Sequence, residues 1–183
     1  MKKLFLSTFL LISISVNAAE QPLEKEFHRL VVLDQEQKIL VVKIKDTDFW
    51  VTPGLYSAIH DDSINEKLIK LAAEYDLTIS QPILKGKFKL INGENTTNRY
   101  FYTATKTNEL LKLPSNIESI HWLPLNEAMN LITFPHINIL LNKIITSDDA
   151  IWCASVKRYR EKGQYKAKLV DDFKPLEECE SHK

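Results

Sequence analysis

The feature that most constrains the fold is a change in the spacing of apolar residues close to residue 63. Before this point, apolar residues form short β-branched runs at 29–33, 39–44 and 49–52, which are typical of strands. After it, they recur every three or four residues, as one face of an α-helix requires. The members of this stripe are Ile64, Leu68, Leu71, Ala72 and Tyr75. The spacing predicts three strands followed by a helix of roughly three turns.

The start of this helix has two candidate caps. Ser63 is followed three residues later by Glu66, which is the spacing of a capping box. Asp62 could serve as the N-cap instead, because a carboxylate also accepts hydrogen bonds from the first free N–H groups. In both alternatives Asp61 lies shortly before the first turn of the helix.

The rest of the chain adds strands and then helices. Strands are predicted at 82–90, 99–105 and 119–123, a polar loop at 92–98, and helices at 126–132 and 136–145. Strands and helices do not alternate, so neither a Rossmann fold nor an α/β barrel fits. We therefore expect an α+β fold with a mixed sheet.

The C-terminal segment is harder to interpret. Residues 148–162 fit either a helix that ends at Gly163 or one arm of a hairpin. We treat 147–183 as an extension of uncertain structure. Residues 157–168 are basic, with Tyr159 and Tyr165 between the charges, and we interpret them as a solvated face rather than a nucleic-acid site.

The N-terminal residues resemble an export signal. Lys2 and Lys3 precede an uncharged, mostly apolar run that ends at Ala18. This run is too short for a stable transmembrane helix, and a buried N-terminal strand or helix is the alternative. We predict a signal peptide at 1–18, a mature domain at 19–146, and a periplasmic or secreted location in a bacterium.

The charge balance bears on which partners the protein could bind, and the two cysteines raise the possibility of a disulfide. Lys and Arg total 24 and so do Asp and Glu, so no overall field attracts nucleic acid, and we expect no membrane span after signal cleavage. Export would allow Cys153 and Cys179 to form a disulfide, whereas two unpaired thiols are the alternative.

A family resemblance begins at Trp50-Val-Thr-Pro-Gly-Leu55. The segment is similar to the Pro-Gly-Gly start of the Nudix box, whose later acids and aliphatic residues have counterparts at Asp61, Leu71, Glu74 and Leu77. A second block, Trp122-Leu-Pro-Leu-Asn-Glu-Ala128, resembles the strand and helix that follow in that family. The resemblance covers roughly 29–145. The box glycines and charged residues are replaced by Leu55, Ile69, Lys70, Ala73 and, at the later glycine, Asp76.

The resemblance implies a fold, a site and a metal. It implies a mixed sheet sandwiched by helices, with Trp50 and Gly54 near the ligand. An active member would bind Mg²⁺ or Mn²⁺ through carboxylates, here Asp61, Glu66 and Glu74, with Glu74 as the catalytic residue.

The replacement of two helix acids weakens that metal site. At ~4 Å and an effective dielectric constant of ~20, the ammonium of Lys70 would oppose each unit of metal charge by about 4 kcal/mol. We expect Lys70 to pair with Glu66 or Glu74 in a row of ion pairs; an ordinary solvated charge row is the alternative. The first hypothesis is therefore a non-catalytic module that binds a nucleotide-like ligand or an envelope protein. The second is a metal-dependent hydrolase that cleaves a nucleoside diphosphate linked to another group.

Overall fold

The computed structural model describes residues 25–59, 61–147 and 150–181. The elements in chain order are β1 (Lys25–Leu33), β2 (Ile39–Ile44), β3 (Trp50–Val51), β4 (Gly54–Ala58), α1 (Ile64–Ala73), β5 (Ile83–Asn92), β6 (Asn95–Thr105), β7 (Ile117–Leu123), α2 (Leu125–Leu131), α3 (Pro135–Thr146), β8 (Trp152–Glu161), β9 (Gln164–Leu169), β10 (Lys174–Pro175) and α4 (Leu176–Glu180). The predicted signal peptide, 1–18, lies outside the described residues.

The strands form one mixed sheet. Its main path runs β10-β8-β5-β6-β1-β2-β3, and β4, β7 and β9 pair with β1, β2 and β8 respectively. Two pairs, β1–β6 and β5–β8, are parallel, and the other pairs are antiparallel. The predicted α+β class with a mixed sheet is confirmed.

Residues 30–32 of β1 and 39–42 of β2 are apolar on both faces of the sheet, because helices cover both sides of it. On β1, Leu30 and Val32 pack with Leu68 and Ala72 of α1, whereas Val31 packs with the residues of α2 and α3. All three β1 residues are fully buried. The helix-sandwiched sheet that the resemblance implies is therefore present.

Two local predictions differ from the structure. β4 was not predicted, because Pro53-Gly54 was interpreted only as the end of a strand; the chain turns there and pairs with β1 from Gly54 onward. The predicted polar loop at 92–98 is wrong, since β5 and β6 remain paired to Asn92 and Asn95. Only Gly93 and Glu94 form the turn, and Gly93 has a φ of 64°. Polar residues here mark the exposed end of a hairpin rather than a loop.

The three predicted helices form with small shifts at their ends, but the predicted capping box does not. Ser63 occupies the N-cap of α1 without a side-chain capping bond. Its N–H and hydroxyl groups instead donate to Oδ1 of Asp61, at 3.0 and 2.6 Å. Asp61 therefore organises the turn before the helix.

The C-terminal segment forms a hairpin attached to the main sheet. β8 pairs with β5 and turns into β9, so the hairpin alternative is the correct one. A disulfide joins Cys153 to Cys179, with a Cα–Cα distance of 6.6 Å, and holds α4 against β8. Among the described residues, none of the helices combines the length and the apolar character that crossing a bilayer requires.

Candidate functional site

The loop and helix that follow β4 match the frame of the family motif. Leu77, at the closing aliphatic position, is buried beneath α1. Asp76, at the position of the later glycine, has a φ of 57°, in the left-handed region that glycine favours and aspartate tolerates. The backbone thus keeps the shape that the motif encodes although the residue differs.

Asp61, the acid that survives in the motif loop, is engaged within the protein. Oδ1 accepts both bonds from Ser63, while Oδ2 accepts bonds from the Ser57 hydroxyl and the Lys67 ammonium. The Lys67 ammonium also lies 3.2 Å from the Ser57 hydroxyl. These bonds, with Lys67 contributing most, hold the pKa of Asp61 well below its usual range. The carboxylate is ionised, but its charge is already balanced by a lysine.

Of the three helix positions that would complete a metal site, only one carries a carboxylate. Lys70 and Ala73 are exposed, and Glu74 is exposed at the C-cap of α1. The predicted ion-pair row is wrong: Lys70 forms no ion pair with Glu66 or Glu74, and the nearby ion pair joins Lys67 to Asp61 instead. Exposed helix pairs contribute only about 0.2–0.5 kcal/mol, which is too little to order these side chains.

A divalent cation does not fit this donor set. Mg²⁺ or Mn²⁺ requires several oxygen ligands, and anionic ones when the protein supplies most of them. Within the part of the chain that the structure describes, no three His, Cys, Asp or Glu residues converge as a metal site would require. The sequence analysis did not identify Lys67 as the partner of Asp61, because Lys67 lies two residues before Ile69, the position of the motif arginine, and corresponds to no motif residue.

Trp50 and Gly54 have packing roles in the structure. The Trp50 ring lies 5.1 Å from the His121 ring and packs against the core beneath α2 and α3. A Cβ on Gly54 would lie 2.6 Å from Cζ of Phe27 and 2.9 Å from the His28 carbonyl oxygen. Gly54 therefore allows β4 to approach β1 closely. A ligand-binding role for these two residues remains a prediction.

A second location is more distinctive: a cavity of about 120 Å³ on the α3 side of the sheet. Three arginines reach it from three different strands, and no acidic residue lines it. We call it the arginine pocket. It is lined by Phe27, Arg29, Tyr56, Leu90, Arg99, Phe101, Phe134, His136, Ile137 and Arg158.

The arginines of this pocket have no carboxylate partners among the residues that the structure describes. Arg29 is buried, and its Nη1 donates to the carbonyl and hydroxyl oxygens of Thr52, at 2.6 and 3.1 Å. Burial first, and then the neighbouring charge of Arg99, lower the pKa of Arg29 to about 9. Nε of Arg99 is buried without a hydrogen-bond partner among the described residues. Both guanidinium groups lie about 5 Å from the Phe27 ring centroid.

His136 lines the arginine pocket, and its pKa is lowered by burial and by the arginine charges. The side chain is 6% exposed, and its Nδ1 has no hydrogen-bond partner within the described part of the chain. Burial, followed by the charges of Arg29, Arg158 and Arg99, lowers the pKa of His136 to about 3. Burial alone would penalise a charge of either sign, but the three arginine charges that add to this shift would favour an anion in the pocket.

The sequence analysis did not identify this pocket. Arg29 was included in a strand without remark, and Arg158 in a basic stretch interpreted as solvated. A usable indication was present, because a charged residue at the start of a strand buried on both faces is uncommon without a partner. Residues 29, 99 and 158 are too far apart in sequence for spacing alone to bring them together.

Comparisons with known proteins give a consistent family of folds but no close relative. No family sequence model matches the chain, and no curated protein matches it in sequence. The MutT protein of Bacillus halodurans is similar in structure, with a TM-score of 0.60 and 18% identity over 80% of this chain and 97% of that chain. A Nudix hydrolase of Nitrosomonas europaea has a TM-score of 0.60 and 12% identity over 75% and 81%. The Nudix domain of Shewanella oneidensis NrtR, solved in complex with ADP ribose, has a TM-score of 0.52 and 14% identity over 70% and 90%.

Proposed function

We propose that this chain, which has the fold of the Nudix hydrolases, is an exported, non-catalytic protein that binds a small anionic, nucleotide-like ligand in the arginine pocket. The observation that carries the proposal is the convergence of Arg29, Arg99 and Arg158 on one cavity that no acidic residue lines. An envelope protein that presents an anionic group could bind to the same arginines.

Chemistry favours a ligand that combines phosphate with a flat ring. Guanidinium groups bind phosphate through paired hydrogen bonds, and Arg99 has a buried Nε available for such a bond. Phe134 and Tyr56 add aromatic surface on which a ring could stack. ADP ribose, which the NrtR domain binds, is therefore a suitable first probe.

The donor set at α1 argues against hydrolysis. Lys67 already neutralises Asp61, and Lys70 adds a positive charge where the resemblance implies a metal-ligating acid. The hydrolase hypothesis would need Glu66 and Glu74 to hold Mg²⁺ or Mn²⁺ beside these lysines. Such a site should bind metal weakly, because each lysine opposes the cation directly.

Calorimetric titration with and without Mg²⁺ tests the proposal. Inorganic phosphate, pyrophosphate and ADP ribose are titrated into the purified protein, and phosphate release is followed in parallel. We expect binding that does not need Mg²⁺, with no turnover. Arg158→Gln should weaken binding at least tenfold, since a charged hydrogen bond contributes about 1.5–3 kcal/mol.

The matched control is Lys45→Gln, which removes one exposed cation at the opposite edge of the sheet. Phosphate release that depends on Mn²⁺ or Mg²⁺ would establish the hydrolase alternative. Absence of anion binding by the wild-type protein would overturn the binding proposal. Equal losses in the two variants would show a general charge effect rather than a pocket.

Export is tested separately by cell fractionation. In a bacterial host, the full chain should appear outside the cytoplasm in a form shortened by residues 1–18. A variant that lacks those residues should stay in the cytoplasm. Retention of the full chain at its original mass in the cytoplasm would contradict the export proposal.

A further inference from the structure

The hairpin of β8 and β9 carries a patch of lysines on the face of the sheet that points away from the arginine pocket. Side chains of cross-strand partners lie on the same face. Lys157 is opposite Lys168, and Lys166 is opposite Tyr159. In the parallel pair with β5, Ile91 is opposite Lys157, so Lys89 lies on this same face. We call Lys89, Lys157, Lys166 and Lys168 the lysine face.

The charges of the lysine face have no ion-pair partners among the described residues. Lys89, Lys157 and Lys168 are exposed, and Lys166 is half-buried. Residues 157–168 contain six basic side chains and one acidic side chain, in a chain of zero net charge. The positive charge is therefore local to the hairpin.

One pair on this face works against stability. Lys157 and Lys168 occupy directly opposite positions on neighbouring strands, where like charges repel. An acidic residue at either position would turn the repulsion into attraction. Folding alone gives no reason for this pair, which points to a second role for the charges.

We infer that the lysine face docks the protein on an anionic lipid bilayer. Lysine ammonium groups suit the diffuse charge of a bilayer because they impose no fixed hydrogen-bonding geometry. The arginines of the hairpin, Arg158 and Arg160, alternate onto the opposite face, where Arg158 lines the arginine pocket. Docking through the lysine face therefore leaves that pocket open to solvent.

A single-stranded nucleic acid fits this face less well. Such ligands are bound by several stacked aromatic side chains in a cationic groove. Here Tyr159 is the exposed ring among the described residues of the face, at 37% exposure. Acidic side chains of the 171–180 segment adjoin the face at one end, where Asp171, Asp172 and Glu180 line a cavity with Lys89. The cationic surface is consequently a short patch rather than a track.

Vesicle co-sedimentation tests the inference. The purified protein is mixed with vesicles of phosphatidylcholine alone, or with phosphatidylglycerol added, at low and high salt. We expect binding to the anionic vesicles only, and its loss at high salt. Lys168→Glu should reduce the partition coefficient at least about fivefold, since each lysine near an anionic surface contributes about 1 kcal/mol. The same variant should melt at a higher temperature, because the repulsive pair becomes an ion pair.

The control is Lys45→Glu, which makes the same charge change at the other edge of the sheet. Equal losses in the two variants would overturn the inference. The inference would also be overturned if the wild-type protein did not bind anionic vesicles, or if it bound single-stranded DNA in preference to them in direct competition. If Lys168→Glu aggregates but binds vesicles normally, the lysines protect an edge strand and do not dock the protein.

Discussion

The buried histidine of the arginine pocket gives a quantitative prediction about stability and pH. His136 has a folded-state pKa of about 3, against 6.5 for a free histidine. Below pH 6.5 the unfolded chain therefore binds a proton that the folded protein excludes. Stability falls as the pH falls from 6.5 toward 3, because protons favour the state that binds them.

The size of this effect follows from the difference in pKa. One pKa unit corresponds to about 1.4 kcal/mol, so between pH 6.5 and pH 5 the difference reaches about 2 kcal/mol. His136→Gln removes the titrating group and keeps a polar side chain of similar size. We expect the variant to lose about 2 kcal/mol less of its free energy of unfolding than the wild type between pH 7 and pH 5. His28, whose pKa is also lowered by burial, is present in both proteins.

Urea denaturation at a series of pH values measures the difference. The control is His121→Gln, which changes an exposed histidine on β7. Saturating phosphate supplies a second test, because an anion in the arginine pocket offsets the arginine charges and raises the pKa of His136. It should reduce the pH dependence of the wild type more than that of the variant. Identical pH dependence of wild type and His136→Gln would refute the reasoning.

Three further predictions follow from the packing and the motif. Reduction of the disulfide should lower the free energy of unfolding by about 3 kcal/mol, measured by urea denaturation with and without reductant, because it frees a loop whose ends are 26 residues apart. Gly54→Ala should destabilise the fold by about 1–3 kcal/mol, since the new Cβ would overlap the Phe27 ring; unchanged thermal unfolding would contradict this. Lys70→Glu with Ala73→Glu should create little Mg²⁺ binding until Lys67→Met is added, and calorimetry that finds equal affinity with and without Lys67 would show that its ion pair is irrelevant.

The sequence predicted the elements that depend on local spacing. The helix at 64–73 and the strands before it follow from a regular apolar period, and burial on both faces of β1 explains why its residues 30–33 are continuously apolar. The fold resemblance rested on a short motif whose backbone shape survives at Asp76. These features are local, so a single sequence is enough to find them.

The contacts that define the candidate site were not predictable in the same way. The partner of Asp61 is Lys67, six residues along the chain and within α1 rather than at a motif position, and only the side-chain geometry selects it. The arginine pocket collects residues from β1, β6 and β8; β1 pairs in parallel with β6, and β5 lies between β6 and β8 in the sheet. Register between distant strands is set by the packed core, and the motif contains no information about it.

The parallel pairing of β1 with β6 has a consequence for the order in which the chain acquires its structure. Phe27 pairs with Arg99, so the first strand of the sheet has no complete set of neighbours until most of the polypeptide has been synthesised. The arginine pocket closes later still, because Arg158 reaches it from β8. A nascent or truncated chain that ends before Arg158 therefore lacks one of the three arginines of the pocket, and under the binding proposal its affinity for anions should be lower than that of the full chain.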